Sequence, residues 1–240
     1  MTRYDAVEAG SYRVAREIAL EGLSSWRDAV APYLTPGRVV LDLGAGTGLF
    51  VRAFGAWFPD VSVVAVEPSS DMRAASGVPM LAGDACSVPL AAESVDVVWM
   101  STVIHHVRDL PAAGAELRRV LRPGGVVLVR SLFRERHSGI GLFRFFPEAE
   151  RALSGFPSVA EVADGLGFGV ELLSPVPQVT ASSLADRAST VRQEADTLLR
   201  SLTAAEFAAG LRRLRAAAEV ESGPVVDHLD LLVLRTVGAV

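Results

Sequence analysis

The chain has 240 residues, half of them apolar, and a formal net charge of −5. That length holds one α/β domain with decorations around a sizeable core. An acidic balance with no Lys/Arg block argues against a nucleic-acid partner, the single Cys86 excludes an intrachain disulfide or a cysteine-rich metal site, and no apolar run reaches the roughly 20 residues of a membrane span. No apolar signal core follows Met1, so a soluble, cytoplasmic protein without a membrane partner is expected. Residues 4–34 carry Val14, Ile18, Trp26, Val30 and Leu34 at helical spacing. Pro36-Gly37 ends that stretch and introduces a first strand over 38–43. A helix from 49 to 57 stops before Pro59; further strands are expected at 61–66, 79–82, 94–100 and 126–130. Short helices fall between them, one at 70–75 and one opened by Pro111 and closed by Arg122-Pro123-Gly124-Gly125. Short, continuously apolar strands alternating with helices describe a parallel sheet covered on both faces. Beyond 131 a helix is expected at 158–167, a strand at 170–176, mostly helix at 182–220, and a final strand from 225 that returns to the sheet.

Residues 39–48 read Val-Val-Leu-Asp-Leu-Gly-Ala-Gly-Thr-Gly. A buried strand runs into a loop with glycines at 44, 46 and 48, and a helix with Leu49, Phe50, Ala53, Phe54 and Trp57 on one face follows. Glycine suits a sharp turn on which a ligand lies, and free N–H groups at the helix start suit a negative group. Glu67 ends the second strand, about twenty residues on, where a carboxylate accepts from the two hydroxyls of a ribose. Asp84 follows the third strand, where it accepts from an adenine amino group, with Met72 and Ala85 as flat apolar contacts. Each acid alone reads equally well as a helix cap. Together they share the carboxyl edge of the sheet, where ligands bind.

Five segments carry a resemblance: Val40 to Gly48, Val66-Glu67-Pro68-Ser69, Gly83-Asp84-Ala85, Ser94 to Val98, and Arg119 to Gly125. In this order the chain resembles the class I S-adenosylmethionine-dependent methyltransferases, and within them the small-molecule group of ubiquinone/menaquinone-type enzymes (methyltransferase type 11). The resemblance covers roughly 37–131. It implies a Rossmann-like, doubly wound sheet of seven strands, the last antiparallel, with N-terminal helices and a helical insertion before the final strand. It implies that Gly44, Ala45, Gly46, Thr47 and Gly48 wrap the methionine part of S-adenosyl-L-methionine, that Glu67, with Pro68 beside it, holds the ribose, that Asp84 and Ala85 hold the adenine, and that Ser101 lies beside the sulfonium. One domain over 1–240 is expected, made of an N-terminal helical cap (1–36), a cofactor-binding core (37–131), an acceptor-side segment (132–224) with the insertion at about 182–220, and the final strand (225–240).

The chemistry of the residues agrees. Asp42 suits the cationic amine of the cofactor and loop N–H groups its carboxylate. Gly46 and Gly48 are two positions apart, whereas a dinucleotide fingerprint spaces its second and third glycines by three, so an NAD-dependent oxidoreductase is disfavoured. After the fourth strand the chain reads Ser101-Thr102-Val103-Ile104, which lacks the Pro-Pro-aromatic motif of nucleic-acid methyltransferases. Transfer would be in-line displacement onto a small organic acceptor, with alignment supplying much of the catalysis. His105 and His106 follow the strand that faces the methyl; one of them is a candidate base, His105 the favoured one, and a packed, backbone-bonded histidine is the plain alternative. Tyr4 is a candidate for an aromatic contact to the sulfonium. Phe133, Phe143, Phe145 and Phe146 fall where an acceptor pocket is walled, favouring an apolar or aromatic acceptor, although core packing is their default. A methyltransferase-fold cyclase or binding protein that holds the cofactor without transfer is the alternative. No metal site is expected.

Overall fold

A computed structural model describes residues 20–236. The expectation for Tyr4 and most of the N-terminal cap lies outside them. Among the described residues six strands form one sheet in the order β2-β1-β3-β4-β6-β5. They are β1 (Val39–Leu43), β2 (Ser62–Val66), β3 (Val95–Ser101), β4 (Leu121–Ser131), β5 (Gly169–Ala181) and β6 (Val225–Arg235). The first four run parallel, and β6 lies antiparallel between β4 and β5, as the last strand was expected to do.

Seven strands is a correction. The segment expected as a strand at 79–82 makes one parallel bridge, Val66 to Leu81, and nothing more. Leu81 donates to Ala65 and its carbonyl accepts from Glu67, but Pro79 has no N–H to give and Leu81 and Ala82 stay exposed. With one side open and no cover, the segment leaves the sheet after a single rung. Two other strands run longer than the apolar pattern indicates. β4 begins at Leu121, and its register jumps from Val95–Leu121 to Val97–Val126, so the Pro123-Gly124-Gly125 turn is a bulge inside the strand. β5 continues to Ala181 on the outer edge, where Pro175 and Pro177 are tolerated because an edge strand needs no donor on its free side.

The helices are α1 (Ser24–Val30), α2 (Leu49–Trp57), α3 (Ser70–Ser76), α4 (Leu110–Val120), α5 (Leu142–Phe145), α6 (Val159–Leu166), α7 (Leu184–Thr190) and α8 (Ala204–Ala218). The period-two alternation of the strands splits the core. One sheet face sends Leu41, Leu43, Val98, Met100, Val127 and Val129 against Leu117 and Val120 of α4 and Val162 and Leu166 of α6. The other sends Val40, Val97, Trp99, Val126, Leu128 and Val233 against Phe50, Ala53 and Phe54 of α2 and Trp26 and Val30 of α1. Trp99 packs edge-on against both Trp26 (5.9 Å between ring centres) and Phe54 (5.4 Å).

A third cluster sits away from the sheet. Phe143, Phe145 and Phe146 pack there with Leu153, Phe156, Leu199 and Leu214. The 182–220 segment supplies α7 and α8 to it, but 191–198 between them is not helical, which narrows the expectation of helix throughout. Phe133 and Phe146 are fully buried. Those two are core, and the apolar wall near the sheet edge comes from their neighbours in the chain.

Candidate functional site

The alternation that builds the Trp99 face also builds the site. Val40 is followed two positions later by Asp42, Val97 and Trp99 by Ser101, Val126 and Leu128 by Arg130, and Val176 by Gln178 and Thr180. All lie on one face, at the carboxyl ends of β1, β3, β4 and β5. Asp227 joins them from the start of the antiparallel β6. An apolar row therefore ends in a polar one, along the edge where open α/β sheets take their ligands.

The loop after β1 is bent by three left-handed glycines, Gly44 (φ 75°), Gly46 (56°) and Gly48 (81°). A Cβ on Gly44 would stand 2.6 Å from Cγ2 of Val103, so the loop lies directly against the segment that follows β3. The N–H groups of Gly44 and Ala45 donate to the Val66 carbonyl, at 2.8 and 3.1 Å. Glu67, 6 % exposed, holds the loop from below: Oε2 accepts from the Gly46 N–H (2.9 Å) and Oε1 from the Ser69 N–H (2.8 Å). Burial pushes its carboxyl above the usual range, and those two backbone donors pull against it.

Asp42 is buried, and its Oδ2 has no hydrogen-bond partner among the described residues. Desolvation, and then the charge of Glu67, push its carboxyl up to about 8. An orphaned buried carboxylate oxygen beside a glycine cradle asks for a cation. The ammonium of an amino-acid-bearing cofactor fits that demand, so these residues match the group that the family resemblance implies.

Asp42, Gly44, Ala45, Gly46, Thr47, Ser101 and His105 all line one cavity of about 270 Å³. The structure brings these seven sequence-predicted residues together. His105 reaches it from a single helical turn, Ile104–His106, with its ring 4.6 Å from that of Phe156. His106 is exposed and lies outside the cavity wall. Gly48 starts α2 just behind the loop, Glu67 and Pro68 stand under it, and Met72 is buried in α3. Asp84 is exposed and closes a turn onto the Cys86 N–H (2.9 Å), with Ala85 beside it; neither borders the cavity.

Sequence reasoning missed the other half of the wall. Arg130, 6 % exposed, donates from Nη1 to Ser101 Oγ (3.1 Å) and from Nη2 to Gln178 Oε1, reaching over β6 to do so. Its guanidinium lies over the rings of Trp26 (5.0 Å) and Phe50 (5.5 Å). Gln178 Oε1 also accepts from Trp26 Nε1 (3.1 Å). The signal was present: continuing Val126, Leu128 by the same step of two lands on Arg130. Apolar cover comes from Ile140, Leu142, Phe156 and Leu198, and Arg187, Arg192 and Asp196 of the 184–198 segment close the far side. Among the described residues no group of three or more His, Cys, Asp or Glu is arranged to hold a metal ion.

Residues 41–129, which contain this loop, Asp42 and Ser101, match the family model for a methyltransferase domain. Over these residues the chain carries a methyltransferase domain. Among curated proteins, the chain is 34% identical over 139 residues to a malonyl-[acyl-carrier protein] O-methyltransferase of Xylella fastidiosa, covering 54% of this chain and 46% of that protein. It is 35% identical over 141 residues to a demethylmenaquinone methyltransferase of a Roseiflexus species, covering 54% and 58%. The chain thus spans about half the length of the curated relatives it matches. Among solved structures, a protein assigned as a methyltransferase of an antibiotic biosynthesis pathway in Anabaena variabilis superposes with a TM-score of 0.67 at 22% identity, over 93% of this chain and 99% of that one. The [4+2]-cyclase SpnF superposes with a TM-score of 0.55 at 18% identity, over 89% and 80%. Both structural likenesses speak for the fold. No helix among the described residues is long and apolar enough to cross a membrane.

Proposed function

We propose that the chain transfers a methyl group from S-adenosylmethionine to a small organic acceptor with an apolar or aromatic body. The observation that carries this reading is the single cavity shared by Asp42, the 44–47 glycine loop, Ser101 and His105 inside the methyltransferase domain. Asp42 would take the ammonium of the cofactor and loop N–H groups its carboxylate. Glu67 keeps two lone pairs beyond those used on Gly46 and Ser69, and these would accept from the ribose hydroxyls. Asp84 with Ala85 would meet the adenine, Pro68 and Met72 would bound that end of the site, and Tyr4, from the N-terminal segment, would lie against the sulfonium. When bound, the cofactor supplies a methyl already activated by positive sulfur. What remains for the protein is to align an acceptor, exclude water and remove a proton where the acceptor carries one. His105, at the mouth of β3 and in the cavity wall, would hold that proton; His106, outside the wall, would serve at most to orient it. Leu132, Ile140, Leu142 and Phe156 would cover the acceptor body.

The likeness to a cyclase keeps one other reading in play, in which the cofactor is bound but not consumed. The test is release of S-adenosylhomocysteine when the chain is incubated with S-adenosylmethionine and a panel of phenols, quinols and hydroxy acids. Stoichiometric release with a methylated product supports transfer. Binding of the cofactor with turnover of an acceptor and no release would favour the cyclase reading.

A further inference from the structure

The proposed transfer engages the β1 and β3 end of the cavity, and the β5 end has no part in it. In the sheet order β5 stands four strands from β1, so a group on its wall meets the acceptor and not the methionine part of the cofactor. Gln178 of β5 borders the cavity there and is 6 % exposed. Its Oε1 accepts from Arg130 Nη2 and from Trp26 Nε1 (3.1 Å). Arginine and tryptophan side chains have protons to give and no lone pair to receive, so the amide oxygen must face them and the amide nitrogen must face away. The Nε2 so placed donates to no described residue and keeps an accessible surface, which on this residue opens to the cavity. Two oriented N–H donors on an otherwise buried side chain call for an oxygen that a ligand brings.

Two residues along β5, Thr180 borders the same cavity with the opposite polarity. Its hydroxyl donates to Asp227 Oδ2 (2.8 Å), with a longer approach to the Val225 carbonyl (3.5 Å), and Asp227 Oδ1 accepts from the Gly141 N–H (2.7 Å). With its proton committed, the Thr180 oxygen offers only lone pairs. The β5 wall therefore reads donor at 178 and acceptor at 180, roughly 6–7 Å apart along the strand. We infer that Gln178 determines specificity: its –NH2 donates to a carbonyl oxygen of the methyl acceptor, and Thr180 accepts from a hydroxyl of the same molecule. The substrate class is a hydroxy-carbonyl compound on an apolar or aromatic body. A ligand that lacks either group leaves a buried polar group unpaired, which costs more than the bond itself contributes. These bonds hold the end of the acceptor remote from the cofactor, and the atom that receives the methyl lies towards Ser101 and His105.

This inference rests on the methyl-transfer reading where it calls the ligand a methyl acceptor. The test is calorimetric titration of the full chain, with and without saturating S-adenosylhomocysteine, by four ring compounds of similar size. These are 4-hydroxyacetophenone, which carries both groups, 4-ethylphenol, which lacks the carbonyl, acetophenone, which lacks the hydroxyl, and 4-hydroxybenzyl alcohol, which puts a hydroxyl in place of the carbonyl. 4-Hydroxyacetophenone is expected to bind about tenfold tighter than 4-ethylphenol or acetophenone. Gln178→Glu keeps an oxygen for Arg130 and Trp26 but turns the –NH2 into an acceptor. It should weaken 4-hydroxyacetophenone about tenfold and make 4-hydroxybenzyl alcohol the tighter ligand. Thr180→Val should bring 4-hydroxyacetophenone to the affinity of acetophenone and leave acetophenone itself unchanged. Thr180 is half-buried, so this variant keeps the test sharp even where Gln178→Glu impairs folding. Equal affinities for the four compounds, failure of 4-hydroxyacetophenone to bind at millimolar concentration, or a uniform loss for all four in Gln178→Glu would overturn the inference. Failure of S-adenosylhomocysteine to bind the unaltered chain would sink the methyl-transfer reading and leave the carbonyl preference measurable without it.

Discussion

The two halves of the cavity wall are built by different means. On the β1 side, a run of ten consecutive residues, 39–48, makes strand, loop and helix start, and one acid from the next strand braces it. On the β4–β6–β5 side, the wall is assembled from Arg130, Gln178, Thr180, Arg187 and Asp227, and the hydrogen bonds Arg130–Gln178 and Thr180–Asp227 tie residues 48 and 47 positions apart. The first half is specified by local backbone requirements. The second exists only once the sheet has closed and the antiparallel β6 has slotted between β4 and β5. On the proposed reading, the difference separates a cofactor site that many chains can share from an acceptor site that each chain makes its own.

The largest expected effect lies where the halves meet. His105→Ala should lower kcat by roughly 10²–10⁴ if the acceptor must lose a proton, with cofactor affinity unchanged, because the loop and Glu67 lie elsewhere. His106→Ala, outside the wall, should stay within about threefold of the unaltered enzyme. Single-turnover methyl transfer between pH 5.5 and 9 checks both. Full activity in each variant and in the double variant would leave alignment as the sole contribution and would make the boundary between the halves chemically silent.

Next in size is the brace. Glu67→Ala removes acceptors from the Gly46 and Ser69 N–H groups and the proposed ribose contact, and should weaken S-adenosylhomocysteine binding by on the order of 1.5–3 kcal/mol for each charge-assisted bond lost. Unchanged affinity in that variant would show that the loop needs no brace from Glu67 and that the ribose contact is misassigned.

Asp42 offers a pH test of the same division. Its carboxyl is raised to about 8, so across neutral pH the folded chain holds a proton that the unfolded chain, with a pKa near 4, has released. That contribution to stability is complete at acid pH and is lost as pH rises towards 8. A bound ammonium favours the ionised form, so cofactor affinity should climb about tenfold per pH unit below 8 and level off above it. Asp42→Asn should flatten both trends, as read by thermal melts and by titration of S-adenosylhomocysteine at several pH values. An unchanged affinity profile in that variant would remove Asp42 from the cofactor site.

Two glycines give the smallest and cleanest contrast. Gly44→Ala forces a side chain into a left-handed backbone and against Val103, and should lose roughly 1–2 kcal/mol of stability together with cofactor binding. Gly210→Ala in α8 would put its Cβ 2.1 Å from the Phe146 ring, and should destabilise the third cluster while sparing the cofactor. Melts with and without S-adenosylhomocysteine distinguish the two patterns.

The same asymmetry explains what could be read from the sequence. The β1 strand, the glycine loop and α2 were legible because each rests on a local pattern: an apolar run, glycines where φ must be positive, a helical stripe; that the last strand runs antiparallel came from the family resemblance alone. The strand expected at 79–82 was not, because its apolar residues suit a strand but Pro79 and an uncovered edge allow only one rung at Leu81. The aromatic stretch was legible as apolar but not as to side: Phe133 and Phe146 went to the core, while Ile140, Leu142 and Phe156 took the cavity. Arg130 was hidden in plain alternation. Gln178, Thr180 and Asp227 had no local signal, since their place depends on which strands become neighbours. Tyr4 lies outside the described residues, and its place at the sulfonium stays a proposal.

The central claim is that the 44–48 loop, Asp42 and Glu67 form a site for S-adenosylmethionine. The direct measurement is calorimetric titration of S-adenosylhomocysteine, with NADH as the competitor chemistry, into the unaltered chain and into Glu67→Ala. Micromolar-range binding of S-adenosylhomocysteine that Glu67→Ala weakens, with no tight binding of NADH, is the predicted result. Tight binding of NADH with none of S-adenosylhomocysteine would contradict the account.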